Sequence, residues 1–506
     1  MRLTVPGSFA IVAIAAGSAG AADLRVVPKA PPLVAAPAYS WTGFYIGGNA
    51  GYSVAADPST YALGNVGATP FDLESFKIAP AGALAGVQAG YNWQVSNWVL
   101  GLEADFQGTG QKDSVCVNLC VFGPGGNFAG TVDAKVPWFG TVRGRLGVAA
   151  GRTLFYATGG LAYGRVDTTI SETNTFPGFV PGTVTVNTST NKTSWALGGG
   201  IEAALAGGWT GKVEYLYIDL GSQTVTFADS TPGRVDTFTT STRDHIVRAG
   251  VNYRFGGAPD VVASGMPMPV KAPRMAAAPL YNWTGVYVGV NAGYSVGSNP
   301  NTYTVTDPPP VGTFNAESYK VSPQGVLGGG QVGVNWQTAS WVIGIEADLQ
   351  ATAQSDSACV FECSTNLAVF GFTSTVQQKL PWFGTVRGRL GAAAGPALFY
   401  ATGGLAYGKA ETNIAQDLGS PVPDTVILNV SQTNTGWTFG GGLEAALTGN
   451  WSVKAEYLHV DLGSQNIAFL DPFGRRTTFT SSFRDDIFRA GLNYKLDWAS
   501  PVVTRY

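Results

Sequence analysis

The sequence predicts an all-β chain folded as transmembrane antiparallel up-and-down β-barrels, and three observations carry that expectation. The chain is written twice, its hydrophobic pattern has a period of two rather than 3.6, and its long and short connections alternate.

The duplication comes first, because a repeat of this length sets the domain count. Pro137 to Gly147 reads PWFGTVRGRLG, and Pro381 to Gly391 repeats the same residues. Phe155 to Gly164 (FYATGGLAYG) returns at Phe399 to Gly408, and Trp41-Thr42-Gly43 returns at Trp283-Thr284-Gly285, with offsets between 241 and 244 throughout. Each copy is of domain size, far longer than a solenoid or propeller unit.

Read in order, the chain opens with Arg2, an apolar stretch from Phe9 to Ala16 and the small residues Ala19-Gly20-Ala21. This is the three-part pattern of a secretory signal peptide, assigned to residues 1–21. A Pro/Ala-rich periplasmic leader follows at 22–40, then a first barrel at 41–255, a Pro-rich periplasmic linker at 256–282, a second barrel at 283–498 and a tail at 499–506. Both Pro-rich segments read as extended spacers.

Within the first copy the two-residue period runs through eight segments that begin near Thr42, Gly82, Trp98, Val136, Thr153, Lys192, Trp209 and Thr242. Val247, Ala249, Val251, Tyr253 and Phe255 fall on one face, with Arg248, Gly250, Asn252 and Arg254 on the other. Leu100, Leu102, Ala104 and Phe106 alternate in the same way with Gly101, Glu103 and Asp105. One apolar face and one sparse, charged face per strand is the signature of a membrane barrel.

Short turns at Ser96-Asn97, Gly151-Arg152 and Gly207-Gly208 take turns with long polar stretches near 55–80, 108–134, 167–191 and 221–241. The second copy has its short turns near Ala339-Ser340, Gly395-Pro396 and Gly449-Asn450. A soluble sandwich has no reason to collect every long loop at one end, whereas an outer-membrane barrel has short periplasmic turns and long external loops. Trp41, Trp93, Trp98, Trp209, Tyr253 and Phe255 at one level, with Trp138 and Trp195 at the other, predict two aromatic girdles.

Composition agrees. The chain has 68 Gly, 59 aromatic residues and only 12% charged residues, about half the average charged share of about 25%. No stretch after the first residues approaches the roughly 20 apolar residues of a membrane-spanning helix, so a membrane must be crossed by strands. A formal net charge of −3 without a basic run argues against nucleic acid as a partner.

Four cysteines form two CxxxC pairs, Cys116 with Cys120 and Cys359 with Cys363, at corresponding places in the copies. Export favours a short-loop disulfide over a zinc site, since no His or third Cys stands near. No metal or cofactor is expected.

If the apolar faces meet lipid, Glu103, Asp105, Arg143, Arg145, Glu202, Lys212, Glu214 and Arg248 point inward, as do Glu346, Asp348, Arg387, Arg389, Glu444, Lys454, Glu456 and Arg489 in the second copy. Each set has four acids and four bases, and charges shut away from water must pair. Eight strands leave room only for side chains to fill the interior. The expected role is a salt-bridged filling. Catalytic carboxylates or a proton relay are the alternative, but arginines at similar depth favour full ionisation. The two histidines, His245 and His459, are not repeat equivalents, and no Walker loop, GxSxG or HExxH is present, so no enzyme is expected.

The motifs also carry a family resemblance. The W-T-G-[FV]-Y at Trp41 and Trp283, G-x-[IL]-E-A at Gly200 and Gly442, K-[VA]-E-Y-L at Lys212 and Lys454 and R-A-G-[VL]-N-Y-[RK] at Arg248 and Arg489 resemble the alphaproteobacterial outer-membrane immunogenic protein family, once per copy. The resemblance implies opacity-type, porin-like eight-stranded barrels in the outer membrane of a Gram-negative cell, with loops that serve as surface antigens and, in some members, bind host molecules or haem. It implies outer-membrane lipid and the outer-membrane assembly machinery as partners, with host or environmental ligands reached through the loops; the sequence names no ligand, and for loop residues such as Tyr303 and Phe314 ordinary loop packing is the commoner role than ligand contact. The chain departs from the family in being duplicated and in carrying the terminal aromatic of the first copy, Phe255, internally.

Sixteen strands also admit one wide barrel with an aqueous lumen, a porin-like diffusion channel. The long, Pro-rich 256–282 segment does not suit a short periplasmic turn, so two tandem eight-stranded barrels are the expected fold and one sixteen-stranded barrel the alternative. The expected function is a non-enzymatic structural and surface-antigen role.

Overall fold

A computed structural model describes residues 39–496, apart from 69, 71, 119, 121–127, 176–179, 256–280, 309–311, 361–362, 364–372, 418–424 and 472–473. The expected signal peptide, nearly all of the leader and linker, and the tail lie outside the described residues.

The described residues form 21 strands joined into one antiparallel sheet. In the first copy β1 (Gly43–Ala55) pairs on one side with β4 (Ala81–Val95). From there the ladder passes through β5 (Trp98–Val117), β6 (Phe128–Ala150), β7 (Thr153–Asn174), β8 (Gly182–Ala204) and β9 (Trp209–Ala228) to β10 (Arg234–Arg254), which pairs back with β1. The second copy repeats the circuit: β11 (Gly285–Gly297), β14 (Gln324–Thr338), β15 (Trp341–Thr352), β17 (Thr373–Ala394), β18 (Ala397–Asp417), β19 (Thr425–Ala446), β20 (Trp451–Leu470), β21 (Arg476–Lys495) and back to β11. Each circuit returns to its own first strand, so neither β1 nor β11 is left as an exposed edge. The short turns are tight enough to need left-handed backbone, with φ of 61° at Gly151 and 63° at Gly395.

Two expectations are corrected by this arrangement. The polar stretch near 55–80 is not a loop but a hairpin, β2 (Asp57–Asn65) with β3 (Asp72–Ile78), and β2 continues the edge of β10 beyond the end of β1. Its counterpart in the second copy is β12 (Asn299–Asp307) with β13 (Gly312–Val321). The other long stretches are mostly strand as well, for β6 and β8 each run to 23 residues.

The physical reason is that the alternation persists while its outward partner changes. On β8 the outward residues are apolar at Leu197 and Trp195 and become Thr193, Asn191, Ser189, Asn187, Thr185 and Thr183 further along. β-Branched threonine keeps its strand preference without lipid. Cross-strand hydroxyl pairs such as Thr173 with Thr183 (3.1 Å) and Thr224 with Thr239 (3.1 Å) tie this water-facing part together.

The apolar outward band runs nine residues, from Trp98 to Phe106 on β5, about 26 Å of strand at 3.3 Å per residue and about 20 Å of height at a barrel-strand tilt of about 40°. With the girdle rings at each edge added, that is the scale of the apolar band of an outer-membrane barrel, about 25 Å. Trp93, Trp98, Trp209, Tyr253 and Phe255 are exposed at its lower edge and Trp195 at its upper edge, where Trp138 also stacks on Phe106. Trp41 is the exception and corrects the girdle assignment: it is fully buried, as is nearly all of Trp283. Trp41 precedes β1, where strand alternation does not apply. The chain turns it inward against Val99, Leu154 and Tyr156, and its backbone N–H donates to Gln94 Oε1 at 2.6 Å.

Candidate functional site

The sixteen inward charges assemble into two layers, one per copy, and the register explains how. Each layer is built from acid–base partners directly opposite each other on adjacent strands: Glu103 with Arg143, Glu202 with Lys212, Glu214 with Arg248. The second copy repeats this with Glu346–Arg387, Glu444–Lys454 and Glu456–Arg489.

Arg143 is the hub of the first layer. Its guanidinium donates to Glu103 at 2.6 Å, Asp105 at 2.9 Å and Glu214 at 3.2 Å. Arg248 reaches Asp105 at 2.8 Å and Glu214 at 2.5 Å, Lys212 reaches Glu103 at 2.9 Å, and Arg145 pairs with Glu202. In the second layer Arg387 donates to Glu346 at 2.5 Å, Asp348 at 2.8 Å and Glu456 at 3.0 Å, Arg489 reaches Asp348 and Glu456, Lys454 reaches Glu346, and Arg389 pairs with Glu444. All sixteen side chains are buried.

Several members of these layers carry no charge, and of these the sequence reading placed only Asn252 on the inward face. Tyr45 and Tyr156 donate to Glu103 (2.8 Å) and Glu214 (3.0 Å), and the Arg145 guanidinium lies 3.7 Å from the centre of the Tyr156 ring. Thr141 donates to Asp105 at 2.7 Å, and Asn252 to Glu202 at 3.0 Å. Tyr287, Tyr400, Thr385 and Asn493 take the same places in the second copy. A signal existed: Tyr45 shares its strand face with Gly47, Asn49 and Gly51, the sparse face, whereas Phe44 and Ile46 lie on the other.

Apolar layers lie on both sides of the charges. On the inward face of β9, Lys212 and Glu214 are followed by Leu216, Ile218 and Leu220, which pack with Phe139, Val136 and Ile246. The Trp41 cluster lies on the other side. The second copy has Phe383, Leu458 and Val460 in one cluster and Trp283, Val342 and Leu398 in the other. Every carboxylate in the two layers has a cation within reach.

The remaining expected residues sit elsewhere. Cys116–Cys120 and Cys359–Cys363 are disulfide-bonded near the ends of β5 and β16 (Ser355–Val360). His245 meets Tyr215 Oη through Nδ1 at 2.8 Å, and His459 lies 2.9 Å from Asp486; neither belongs to a charged layer. Tyr303, expected on a loop, is a buried strand residue. The side chain of Phe314 lies outside the described residues. Among the described residues no group of three His, Cys, Asp or Glu side chains is arranged to hold a metal.

The chain matches the outer membrane protein beta-barrel domain family over residues 9–255 and again over 266–495. It belongs to that family. The 31 kDa outer-membrane immunogenic protein of Brucella melitensis is 38% identical over 255 residues, which cover 48% of this chain and 97% of the relative. The 22 kDa outer membrane protein of Rhizobium leguminosarum is 32% identical over 157 residues, covering 31% of this chain and 62% of the relative. Among solved structures, Ail, the attachment invasion locus protein of Yersinia pestis, is 13% identical with a TM-score of 0.18 and covers 41% of this chain and 99% of its own. Neisserial surface protein A is 14% identical with a TM-score of 0.20, covering 42% and 98%, and a TodX monoaromatic hydrocarbon channel mutant 8% identical with a TM-score of 0.24, covering 90% and 91%. This member of the outer membrane protein beta-barrel domain family is thus a non-enzymatic outer-membrane protein in contact with membrane lipid, with two family segments in tandem.

Proposed function

We propose that the chain is a structural, surface-displayed outer-membrane protein made of two sealed eight-stranded barrels, residues 41–255 and 283–498, rather than one wide diffusion channel. One observation carries this reading: each strand circuit returns to its own first strand, and its interior is occupied by a neutral charged layer held between apolar layers. Ions crossing such an interior would have to displace paired charges and packed side chains, which is costly in a low-dielectric space. The sixteen charged residues are therefore a lumen filling. The parts beyond the apolar band supply the antigenic surface, a role supported by the immunogenic relatives. Insertion by the outer-membrane assembly machinery belongs to the same reading, and any host or environmental ligand would be met by that outer surface.

Planar-bilayer conductance of the refolded full-length chain tests it. The expected result is a quiet membrane or rare, small events. Large, stable openings overturn the sealed-barrel reading in favour of a single sixteen-stranded channel.

A further inference from the structure

Lipid-facing residues are exposed over most of each circuit, but one stripe is covered by the other copy. Tyr215 of the first copy packs on Phe488 of the second with ring centroids 5.0 Å apart, and His245 stacks on Tyr294 at 5.4 Å with 11° between the planes. Lower down, Ile201 and Ala203 form one buried cluster with Ala397 and Leu443. Leu197, on the same face as Ile201, is exposed, so burial here marks the neighbour and not the strand. Close approach is built in at Gly211, where an added Cβ would lie 2.8 Å from the Phe399 ring.

Beyond the apolar band the contacts become reciprocal. Lys77 pairs with Asp356 at 3.7 Å, and Lys320 pairs with Asp113 at 2.6 Å. Lys77 and Lys320 occupy equivalent places in the repeat, 243 residues apart, and so do Asp113 and Asp356. The strands obey the same rule: Ser75 of β3 faces Cys359 of β16, Ser318 of β13 faces Cys116 of β5, and Lys77 faces Lys320. Contact of i with j answered by contact of j with i is the mark of a twofold interface. One apolar core then spans both copies, with Tyr61, Phe76 and Phe238 packed together with Tyr303, Tyr319 and Phe479.

We propose that the two copies form an intramolecular dimer, related by a pseudo-twofold axis along the membrane normal, whose inserted hairpins merge into one extracellular head. The inference rests on the two-barrel reading and adds to it that each barrel is the other's binding partner. Apolar faces gain little by leaving lipid for each other, so the buried head core supplies the association and the aromatic stripe the fit. The two ion pairs, largely shielded from water, set the register. The linker keeps the second copy at high effective concentration, so a modest interface suffices. His245 lies on the stripe between the copies, facing Tyr294, and meets Tyr215 of its own copy at 2.8 Å, as Asp486 at the equivalent place meets Tyr457 at 2.6 Å.

A zero-length carbodiimide couples a lysine amine to a carboxylate in contact with it, and added glycine ethyl ester captures carboxylates that have no lysine nearby. Applied to full-length protein in outer-membrane vesicles, with peptide mass spectrometry of the monomer-sized band, the expected products join Lys77 to Asp356 and Lys320 to Asp113. Coupling of Asp113 to Lys77 and of Asp356 to Lys320, or capture of both aspartates by the ester, overturns the proposal. A protease site inserted within 257–280 gives a second reading that does not depend on the reagent's reach. After cleavage of the folded chain in mild detergent the halves are expected to co-elute in size exclusion, and halves that elute separately overturn the inference. Large conductance with the cross-copy products intact would instead sink the sealed-barrel reading alone.

Discussion

Replacing Arg143 with methionine removes the hub of one charged layer while keeping most of the side chain's length and apolar volume. Three carboxylates lose a donor, at 2.6 Å (Glu103), 2.9 Å (Asp105) and 3.2 Å (Glu214). The layer starts neutral, with four acids and four bases, and is left with one uncompensated negative charge between apolar layers. Breaking a buried pair by deleting one partner costs about 3–5 kcal/mol. Arg248 still reaches Asp105 and Glu214, and Lys212 still reaches Glu103, so a loss of about 3 kcal/mol, the low end of that range, is expected. Urea unfolding in lipid vesicles, followed by tryptophan fluorescence and by the heat-modifiable gel shift, measures it. Arg387→Met is an internal control, because its contacts at 2.5, 2.8 and 3.0 Å copy those of Arg143. Adding Glu103→Gln to Arg143→Met restores neutrality and should recover a large part of the loss. A change below about 1 kcal/mol for either single variant, the scale of an exposed pair, or no recovery in the double variant, refutes the account of the filling.

Other expectations follow from the same geometry. Val142 faces outward in the middle of the apolar band and is exposed, so Val142→Arg should lower stability in vesicles by about 2–4 kcal/mol, while Thr185→Arg on the water-facing part of β8 should change it by no more than about 0.5 kcal/mol. Equal losses at the two sites would show that the apolar band is misplaced. Trp41→Ala empties the space of a fully buried ring and should cost about 3–5 kcal/mol; a cost near zero would return Trp41 to the girdle. Beyond the apolar band of the first copy, burial pushes Asp236 up to about 7 and Asp72 up to about 6. Folding then favours their protonated forms, so stability should be highest at acid pH and fall as pH rises from about 4 to about 7, where the unfolded chain ionises first. Asp236→Asn should flatten that slope, and an unchanged pH profile of urea midpoints would count against the burial of Asp236. The second copy has Thr477 and Asn315 at the equivalent places and should show no such contribution from them.

The sequence by itself determined what is local. The duplication, the two-residue period and the outward apolar faces at Leu100, Val142 and Val251 depend only on which residue follows which, because successive strand side chains point to opposite faces. The inward set of sixteen charges is read by the same rule. Local alternation does not say which charge meets which. That Glu103 lies opposite Arg143 and Glu214 opposite Arg248 follows from register, which is set by pairing between segments far apart in the chain. The return of β10 to β1 and of β21 to β11, the inserted hairpins β2–β3 and β12–β13, and the inward turn of Trp41 were decided the same way. The threonine-rich extensions read as loops because their outward face is polar, yet hydroxyl ladders and a shared apolar core keep them as strands. Covering of Ile201 but not Leu197 is the clearest case: the two residues occupy the same face of one strand, and only the position of the neighbouring copy separates them.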